Sequence, residues 1–192
     1  VEGDVTRPIK VSSPINYIFH CASNTSSQSF VDYPVESLDV AVTGTKNVLE
    51  LAKEKNIESM VYLSSMEVYG ELDADRGLTK ENDYGYMDIL NVRNSYPMGK
   101  RMAEMLCFSY VKEKNIPVKM ARLAQTVGAN ISYHDSRVCA MMARSVVEKT
   151  NIVLNTPGTV IRSFIYITDV ISALILILIN GTNGESYNVS NK

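Results

Sequence analysis

A tyrosine and a lysine lie four residues apart in the segment SYPMGKRMAE, residues 95–104, which otherwise has the pattern of a helix. Side chains four apart are neighbours on a helix surface, so the Lys100 ammonium can lie close to the Tyr96 phenol. A nearby positive charge favours the phenolate and lowers the pKa of a tyrosine from about 10, which lets it remove a proton from a sugar or alcohol hydroxyl. The same spacing also occurs where a half-buried tyrosine precedes a solvated lysine, so the pair alone leaves both interpretations open.

Two serines and a glutamate follow a short apolar run in YLSSMEVYG, residues 62–70. If that run is a buried strand, Ser64 and Ser65 lie where it ends, and a serine hydroxyl there can hydrogen-bond the oxygen that Tyr96 deprotonates. Glu67 can act as a general acid or base. Serines that only end a strand, and a carboxylate that only lies in a loop, would give the same pattern. The fold must therefore decide between the two interpretations.

Apolar runs alternate along the chain with segments of helical spacing, which predicts strands and helices in turn. The predicted strands are residues 15–23, 58–65, 116–124 and 185–191, the predicted helices are residues 32–56, 95–114 and 136–150, and residues 162–180 begin extended and become helical near Thr168 and Asp169. This alternation predicts an α/β fold with a parallel sheet and right-handed crossovers. Sites in such sheets form beyond the carboxyl ends of the strands, so the segments HCAS, SSMEVYG and AQTVGAN should converge on one crevice.

The composition narrows the class of protein. The 192 residues, 45% hydrophobic and 21% charged, suffice for one well-buried domain, and a net charge of −2 argues against a general nucleic-acid binder. Three widely spaced cysteines without a CxxC pair favour a reducing cytoplasm and suggest no metal site. The most apolar run, residues 173–179, is far shorter than the roughly 20 residues that span a bilayer, and we recognise no signal peptide. We expect a cytoplasmic protein that binds neither nucleic acid nor membrane.

Seven segments, in order along the chain, are similar to the motifs of one enzyme family. They are EGDVTRP, IFHCAS, VTGTKNVLELAKEKNI, SSMEVYG, RNSYPMGKRMAE, ARLAQTVGAN and RSFIYITDV. Together they resemble the extended short-chain dehydrogenase/reductases, the group of NAD-dependent nucleotide-sugar epimerases, dehydratases and decarboxylases. Each motif is weak alone, but the order and spacing of all seven make the resemblance specific. It implies a Rossmann-type, doubly wound parallel sheet with NAD as the cofactor.

The resemblance also implies roles for individual residues. The implied catalytic residues are Ser65, Glu67, Tyr96 and Lys100, where Tyr96 is the base and Lys100 its partner, which also reaches the nicotinamide ribose. The implied cofactor-binding residues are Asp4 and Val5 near the adenine, Ala22 and Ser64 along the cofactor, and again Tyr96 and Lys100. The implied substrate-binding residues are Gln125, Arg137 and Arg162, with Arg162 on the nucleotide diphosphate. Asn47 falls on the family's characteristic helical asparagine, whereas Gln125 stands where the family usually has an asparagine.

Residues 66 and 67 bear on the type of reaction. Members of the family oxidise the sugar at C4 with NAD, and the 4-keto group then permits elimination, decarboxylation or rotation of the intermediate. Dehydratases carry Asp-Glu after the catalytic residue, whereas this chain carries Met66-Glu67, and 4-epimerases usually have a small or neutral residue in place of the glutamate. The decarboxylase patterns Ser/Thr-x-Glu-Val-Tyr-Gly and R-x-x-Y-x-x-x-K-R-x-A-E match residues 65–70 and 93–104 more closely. We expect a decarboxylase-like or 4-epimerase activity on a UDP-linked sugar, ahead of dehydration.

One motif of the family has no counterpart in the sequence. This is the G-x-x-G-x-x-G turn, whose backbone N–H groups meet the cofactor pyrophosphate. We therefore expect residues 1–130 to form a dinucleotide-binding domain that is incomplete in its N-terminal half, and residues 131–192 to form part of a substrate lobe, with residues 162–180 returning to the main domain. The chain resembles the middle of a longer enzyme, so we expect weak binding of NAD.

Two other classes of function remain open. The chain could be a non-catalytic module that binds a nucleotide sugar or a dinucleotide in the same crevice, although a binder has no physical need of the Ser65, Tyr96 and Lys100 set. It could also be a reductase of a non-nucleotide substrate, which Arg162 disfavours. Members of the family commonly dimerise through a four-helix bundle, here formed by residues of about 36–55 and 95–114. Met98, Met102, Met105 and Leu106 are compatible with such a face, and equally with a core.

Overall fold

The computed structural model describes residues 2–73, 77–135, 137–153 and 162–191. The strands are β1 (Tyr17–His20), β2 (Ser59–Ser65), β3 (Val118–Leu123), β4 (Gln125–Val127), β5 (Phe164–Tyr166) and β6 (Ser186–Val189). The helices are α1 (Ser27–Asp32), α2 (Pro34–Asp39), α3 (Thr45–Lys55), α4 (Ser95–Lys114), α5 (Val138–Glu148) and α6 (Ile167–Asn180), with a π-helical turn at Val40–Gly44 and 3₁₀ turns at Met66–Tyr69 and Val92–Asn94. None of the helices described combines the length and apolar character needed to cross a bilayer.

The main sheet has four parallel strands in the order β1-β2-β3-β6, and β4 and β5 form a separate parallel pair. The prediction of an α/β fold with a parallel sheet is therefore confirmed. The short strand β4 was not predicted, because it follows β3 after a single residue in what reads as one apolar run. Residue 136, where the third predicted helix begins, lies outside the described residues.

The two faces of the sheet have separate cores, as the two-residue period of a strand requires. Met60 and Tyr62 of β2 face α3 and α4, whereas Val61 between them faces α6. The first core contains Val48, Leu49, Ala52, Ile57, Met60, Tyr62, Ala103, Cys107, Ile116, Val118 and Met120, and the second contains Val61, Ala121, Ala124, Ile165, Val170, Leu174, Ile177, Leu178 and Val189. Each fully buried large side chain stabilises the fold by about 1.5–3 kcal/mol relative to exposure. Helices on both faces make the sheet doubly wound.

The predicted helix at residues 32–56 begins at Pro34 in the structure and continues through the π-helical turn to Lys55. α1 ends at Asp32 and α2 begins at Pro34, because a residue before proline, here Tyr33, is disfavoured in helical backbone. The π-helical turn then leads into α3. Close packing against α4 occurs at this turn, where a Cβ added to Gly99 would lie 2.9 Å from the Cβ of Ala41.

Helix α4 determines where the tyrosine and lysine lie. The 3₁₀ turn at Val92–Asn94 leads directly into it, and Pro97 is tolerated because the N–H groups of a first helical turn have no intrahelical acceptor. The helix ends at Asn115, whose backbone is left-handed with φ 57°. Tyr96 therefore lies in the first turn, just beyond the carboxyl end of β2, and Lys100 lies one turn further along.

Candidate active site

A cleft of about 300 Å³ opens at the carboxyl ends of β2 and β3. The predicted site residues that line it are Ser64, Ser65, Glu67, Tyr96, Gln125 and Arg137. Of the three segments predicted to converge on one crevice, SSMEVYG and AQTVGAN do so, because they follow neighbouring parallel strands, whereas HCAS contributes no residue to the lining. Lys100, Asp4, Val5, Ala22 and Arg162 are not part of this lining. A larger cavity of about 520 Å³ lies between α4 and β6, and none of the predicted site residues lines it.

Tyr96 is partly buried, and burial is the largest influence on the pKa of its phenol. Burial raises the pKa of Tyr96, a hydrogen bond with Ser65 lowers it, the charge of Glu67 raises it and the charge of Arg93 lowers it, with a net upward shift. The predicted lowering of this pKa by Lys100 is therefore wrong for this structure, because the lysine charge is not the dominant influence on the phenol. Ser65 and Tyr96, both predicted to be catalytic, nevertheless line the same cleft.

Lys100 lies beside Tyr96 but makes its hydrogen bond elsewhere. Its Nζ is 5.7 Å from the centre of the Tyr96 ring and donates to the Leu63 carbonyl at 2.7 Å. Burial lowers the pKa of Lys100 to about 8, against the opposing charge of Glu104. The ammonium thus fixes the end of β2 on the first turns of α4.

A buried histidine adjoins Lys100. The pKa of His20 is lowered to about 4, first by burial and then by the Lys100 charge. Its Nε2 lies 3.1 Å from the Thr45 hydroxyl of α3. His20 is therefore a neutral group of the core, at the end of β1 that faces the site.

Ser64 makes a different contact from its neighbour Ser65. Ser64 and Arg122 are register partners on β2 and β3, and Glu104 of α4 lies between them. The Ser64 hydroxyl donates to Glu104 Oε1 at 2.5 Å, and Arg122 donates to both Glu104 oxygens at 2.9 and 2.6 Å. Since all three are buried, the Ser64 hydroxyl is engaged in a structural network, although the serine also lines the cleft.

Glu67 is held by an arginine from the turn before α4. Arg93 Nη2 lies 3.0 and 3.2 Å from the two carboxylate oxygens of Glu67. The Arg93 guanidinium also lies over Phe30, 4.9 Å from the ring centre, and Phe30 stacks on Tyr96 with ring centres 4.4 Å apart at 11°. Sequence reasoning missed Phe30 and gave Arg93 no role. The R-x-x-Y spacing was the one signal that pointed to Arg93.

The predicted substrate residues lie on the other side of the cleft. Gln125 begins β4 and Arg137 immediately precedes α5, where it pairs with Asp135 at 2.6 Å. Arg162 is exposed and precedes β5, whose Phe164 is the register partner of Gln125. Gln125 and Arg162 therefore both lie at the start of the β4–β5 pair. Arg162 is two residues before the register partner of Gln125.

The predicted adenine-side residues form a separate group near the start of the chain. The Asp4 carboxylate accepts hydrogen bonds from the Thr6 backbone N–H and hydroxyl, both at 2.9 Å, and these bonds lower the pKa of Asp4. Asn47 of α3 donates to the Val5 carbonyl at 2.8 Å. Ala22 follows β1 and is half-buried. The helical asparagine thus has a physical role, since it ties the segment of Asp4 and Val5 to α3.

Comparisons with known proteins agree with this geometry. Residues 1–190 match the model of the NAD dependent epimerase/dehydratase family. The chain is 31% identical over 191 residues to UDP-glucuronic acid decarboxylase 3 of Arabidopsis thaliana and 28% identical over 191 residues to UDP-glucuronic acid decarboxylase 1 of Danio rerio, covering 100% of this chain and 54% and 44% of those proteins. The fold is similar to that of a dTDP-glucose 4,6-dehydratase from Bacillus anthracis solved with NAD, with a TM-score of 0.76 and 25% identity over 92% of this chain and 51% of that one. The chain spans about half the length of the curated relatives it matches.

Proposed function

The chain belongs to the NAD dependent epimerase/dehydratase family, and on that premise we propose that the protein modifies a UDP-linked sugar through a 4-keto intermediate. Decarboxylation of a uronate is our first candidate and 4-epimerisation the second. The observation that carries the proposal is that Ser65, Glu67 and Tyr96 line one cleft at the carboxyl ends of β2 and β3. Two relatives named UDP-glucuronic acid decarboxylase support the choice of reaction, as does Met66 in place of the dehydratase aspartate.

The residues of the cleft have distinct roles in this proposal. Tyr96 takes the proton of the sugar C4 hydroxyl, and Ser65 hydrogen-bonds the same oxygen as its charge develops. Glu67, two residues beyond Ser65, serves as the acid or base of the step that follows oxidation. Lys100 fixes the end of β2 through the Leu63 carbonyl and supplies a positive charge behind the phenol.

NAD is the cofactor in this proposal, and when bound it supplies the oxidation at C4. The donor set fits part of such a molecule. Tyr96 and Lys100 would hold the nicotinamide ribose, and Asp4 and Val5, fixed by Asn47, would hold the adenine.

The diphosphate of the substrate would be bound on the side of β4 and β5. Arg162 is exposed and its guanidinium can bind phosphate oxygens bidentately, and Gln125 starts the strand that pairs with β5. Arg137 lines the cleft, but it already pairs with Asp135, so binding a phosphate would require it to share or exchange that partner.

We also propose a homodimer through the segments of about 36–55 and 95–114. On α4, Met102 and Met105 are 52% and 60% exposed, whereas Leu106 packs partly against the core. Two apolar side chains on successive turns of a helix are compatible with a helical interface. Light scattering of the full chain should give twice the mass of one chain. The Met102→Glu variant should give the mass of one chain. If both give the mass of one chain, the proposed homodimer is wrong.

The proposed function is tested by incubating the full chain with NAD and UDP-glucuronate or UDP-glucose. Release of CO₂ with a UDP-pentose product supports decarboxylation, and interconversion of 4-epimers supports epimerisation. Tyr96→Phe should lower kcat by about 10²–10⁴-fold while leaving the affinity for UDP within about threefold. Normal UDP affinity without turnover in the unsubstituted chain would favour the binding module instead.

A further inference from the structure

Arg93 makes two contacts in the site that no role assigned so far explains. Its Nη2 reaches both Glu67 oxygens, and its guanidinium lies over the ring of Phe30. Phe30, 2% exposed, stacks in turn on Tyr96. One side chain therefore contacts the acid or base of the site directly and the proton acceptor through a single intervening ring.

These contacts cannot be explained by stability alone. The side chains of Arg93 and Glu67 are 34% and 36% exposed, and an ion pair as exposed as this contributes about 0–1 kcal/mol. The geometry is nevertheless well defined. The Arg93 backbone N–H donates to Asn91 Oδ1 at 3.1 Å, and the Ser95 hydroxyl donates to the Phe30 carbonyl at 3.0 Å, which ties α1 to the first turn of α4.

We propose that Arg93 is a positioning residue of the site: it fixes the Glu67 carboxylate through the ion pair and the Tyr96 ring through Phe30, so that groups from three separate segments keep one relative geometry. Those segments are α1, the turn after β2 and the start of α4. The inference rests on the proposed function only for the roles given to Glu67 and Tyr96.

The charged groups around Tyr96 also support a positioning role for Arg93. The groups that face Tyr96 are Glu67 from the turn after β2, Arg93 from the turn before α4, Lys100 from the next turn of α4, the Ser65 hydroxyl and the buried Tyr62. The Glu67 charge raises the pKa of Tyr96, and the Arg93 charge lowers it. Arg93 thus offsets at the phenol the charge of the carboxylate that it holds.

The test measures Tyr96 directly and needs no turnover. The full chain is labelled with 3-fluorotyrosine, which ionises at lower pH than tyrosine, and the Tyr96 signal among the 11 tyrosines is assigned with Tyr96→Phe. We expect Arg93→Met to raise the ionisation midpoint by about 0.5–1 pH unit and Glu67→Gln to lower it by a similar amount. The double variant should return close to the unsubstituted midpoint, and Arg93→Lys should shift it less than Arg93→Met.

Lys112→Met is the matched control, because it also removes one positive charge and one cation–π contact, over Phe108 on the same helix. An equal shift in this control, or an unchanged Tyr96 midpoint in Arg93→Met, would overturn the inference. If Arg93→Met fails to fold, the midpoints of Arg93→Lys and Glu67→Gln still decide the inference.

Where the full chain turns over a nucleotide sugar, Arg93→Met should lower kcat by about tenfold or more with KM little changed. An inactive unsubstituted chain would end the proposed function, while the fluorine titration would still decide the role of Arg93.

Discussion

Ser64 and Glu104 are joined by a 2.5 Å hydrogen bond inside the fold, one residue before the serine that interacts with Tyr96. The adjacent serines therefore differ in their contacts, although both follow the same strand. Ser64 belongs with Glu104 and Arg122 to the packing of α4 on the sheet. Ser65 lines the cleft and, in the proposed function, hydrogen-bonds the reacting oxygen.

Alanine substitutions should separate the two serines. Ser65→Ala should lower kcat by about 10–10³-fold, because the reacting oxygen loses a hydrogen-bond donor, with an unfolding free energy close to that of the unsubstituted chain. Ser64→Ala should lower the unfolding free energy by about 1–3 kcal/mol, because a buried carboxylate oxygen loses one of its two donors. Urea unfolding and turnover, measured on both variants, check this. Equal effects of the two substitutions would contradict the division.

Breaking the buried ion pair should cost far more than breaking an exposed one. The side chains of Arg122 and Glu104 are 1% and 9% exposed, so Glu104→Gln or Arg122→Met should lower the unfolding free energy by about 3–5 kcal/mol. Glu113→Gln, at an exposed position of the same helix, is the control and should change it by less than about 0.5 kcal/mol. A double variant, Glu104→Met with Arg122→Met, should be less destabilised than the sum of its parts. Additive losses would show that the pair is not coupled.

His20 should make the fold sensitive to acid. Its pKa is about 4 in the folded chain and near 6.5 when unfolded, so between these values the unfolded state binds more protons. Stability from His20 is thus complete above about pH 6.5 and is lost as the pH falls, by up to about 3 kcal/mol at pH 4. His20→Asn should flatten the unfolding free energy between pH 7 and 5, whereas exposed His134→Asn should leave that slope in place. If the pH dependence of the unfolding free energy persists in His20→Asn, it arises from the carboxylates and not from His20.

The contact of α4 with the π-helical turn leaves no room for a methyl group at residue 99. Gly99→Ala gains about 1 kcal/mol of helix propensity, but its Cβ would lie 2.9 Å from that of Ala41, so we expect a net loss of about 1–2 kcal/mol. Adding Ala41→Gly removes the overlapping atom and should recover part of the loss. Thermal unfolding of the two single variants and the double variant checks this. Full additivity of the losses would mean that the two positions do not touch.

Local sequence patterns were sufficient to predict much of the fold. The predicted limits of the helix at 95–114 are those of α4, and the strand predicted at 58–65 differs from β2 by one residue, because apolar spacing and the flanking polar residues mark both. The motif residues at the ends of β2 and β3 also met in the cleft as predicted, since parallel strands bring their carboxyl ends to one edge.

The remaining features depend on contacts between distant parts of the chain. Phe30 of α1 and Tyr96 of α4 stack although they are 66 residues apart in the sequence, and α1 was not predicted at all. The pKa of Tyr96 depends on how deeply the phenol is buried, which the Y-x-x-x-K spacing does not contain. The role of Ser64 required the register of β2 on β3, which places Arg122 beside it.

Tyr96 is the second residue of a 20-residue helix, and this position bears on the energy of its ionised form. The aligned peptide dipoles of α4 place a partial positive charge at its first turn, where a negative group is stabilised by about 0.3–1 kcal/mol, and by more where water is excluded. Burial opposes the phenolate while the protein is at rest, but a negative charge formed on this oxygen lies at the favourable end of the longest helix described. In the proposed function, the backbone of α4 would thus favour the phenolate form of Tyr96, which accepts the proton of the sugar hydroxyl.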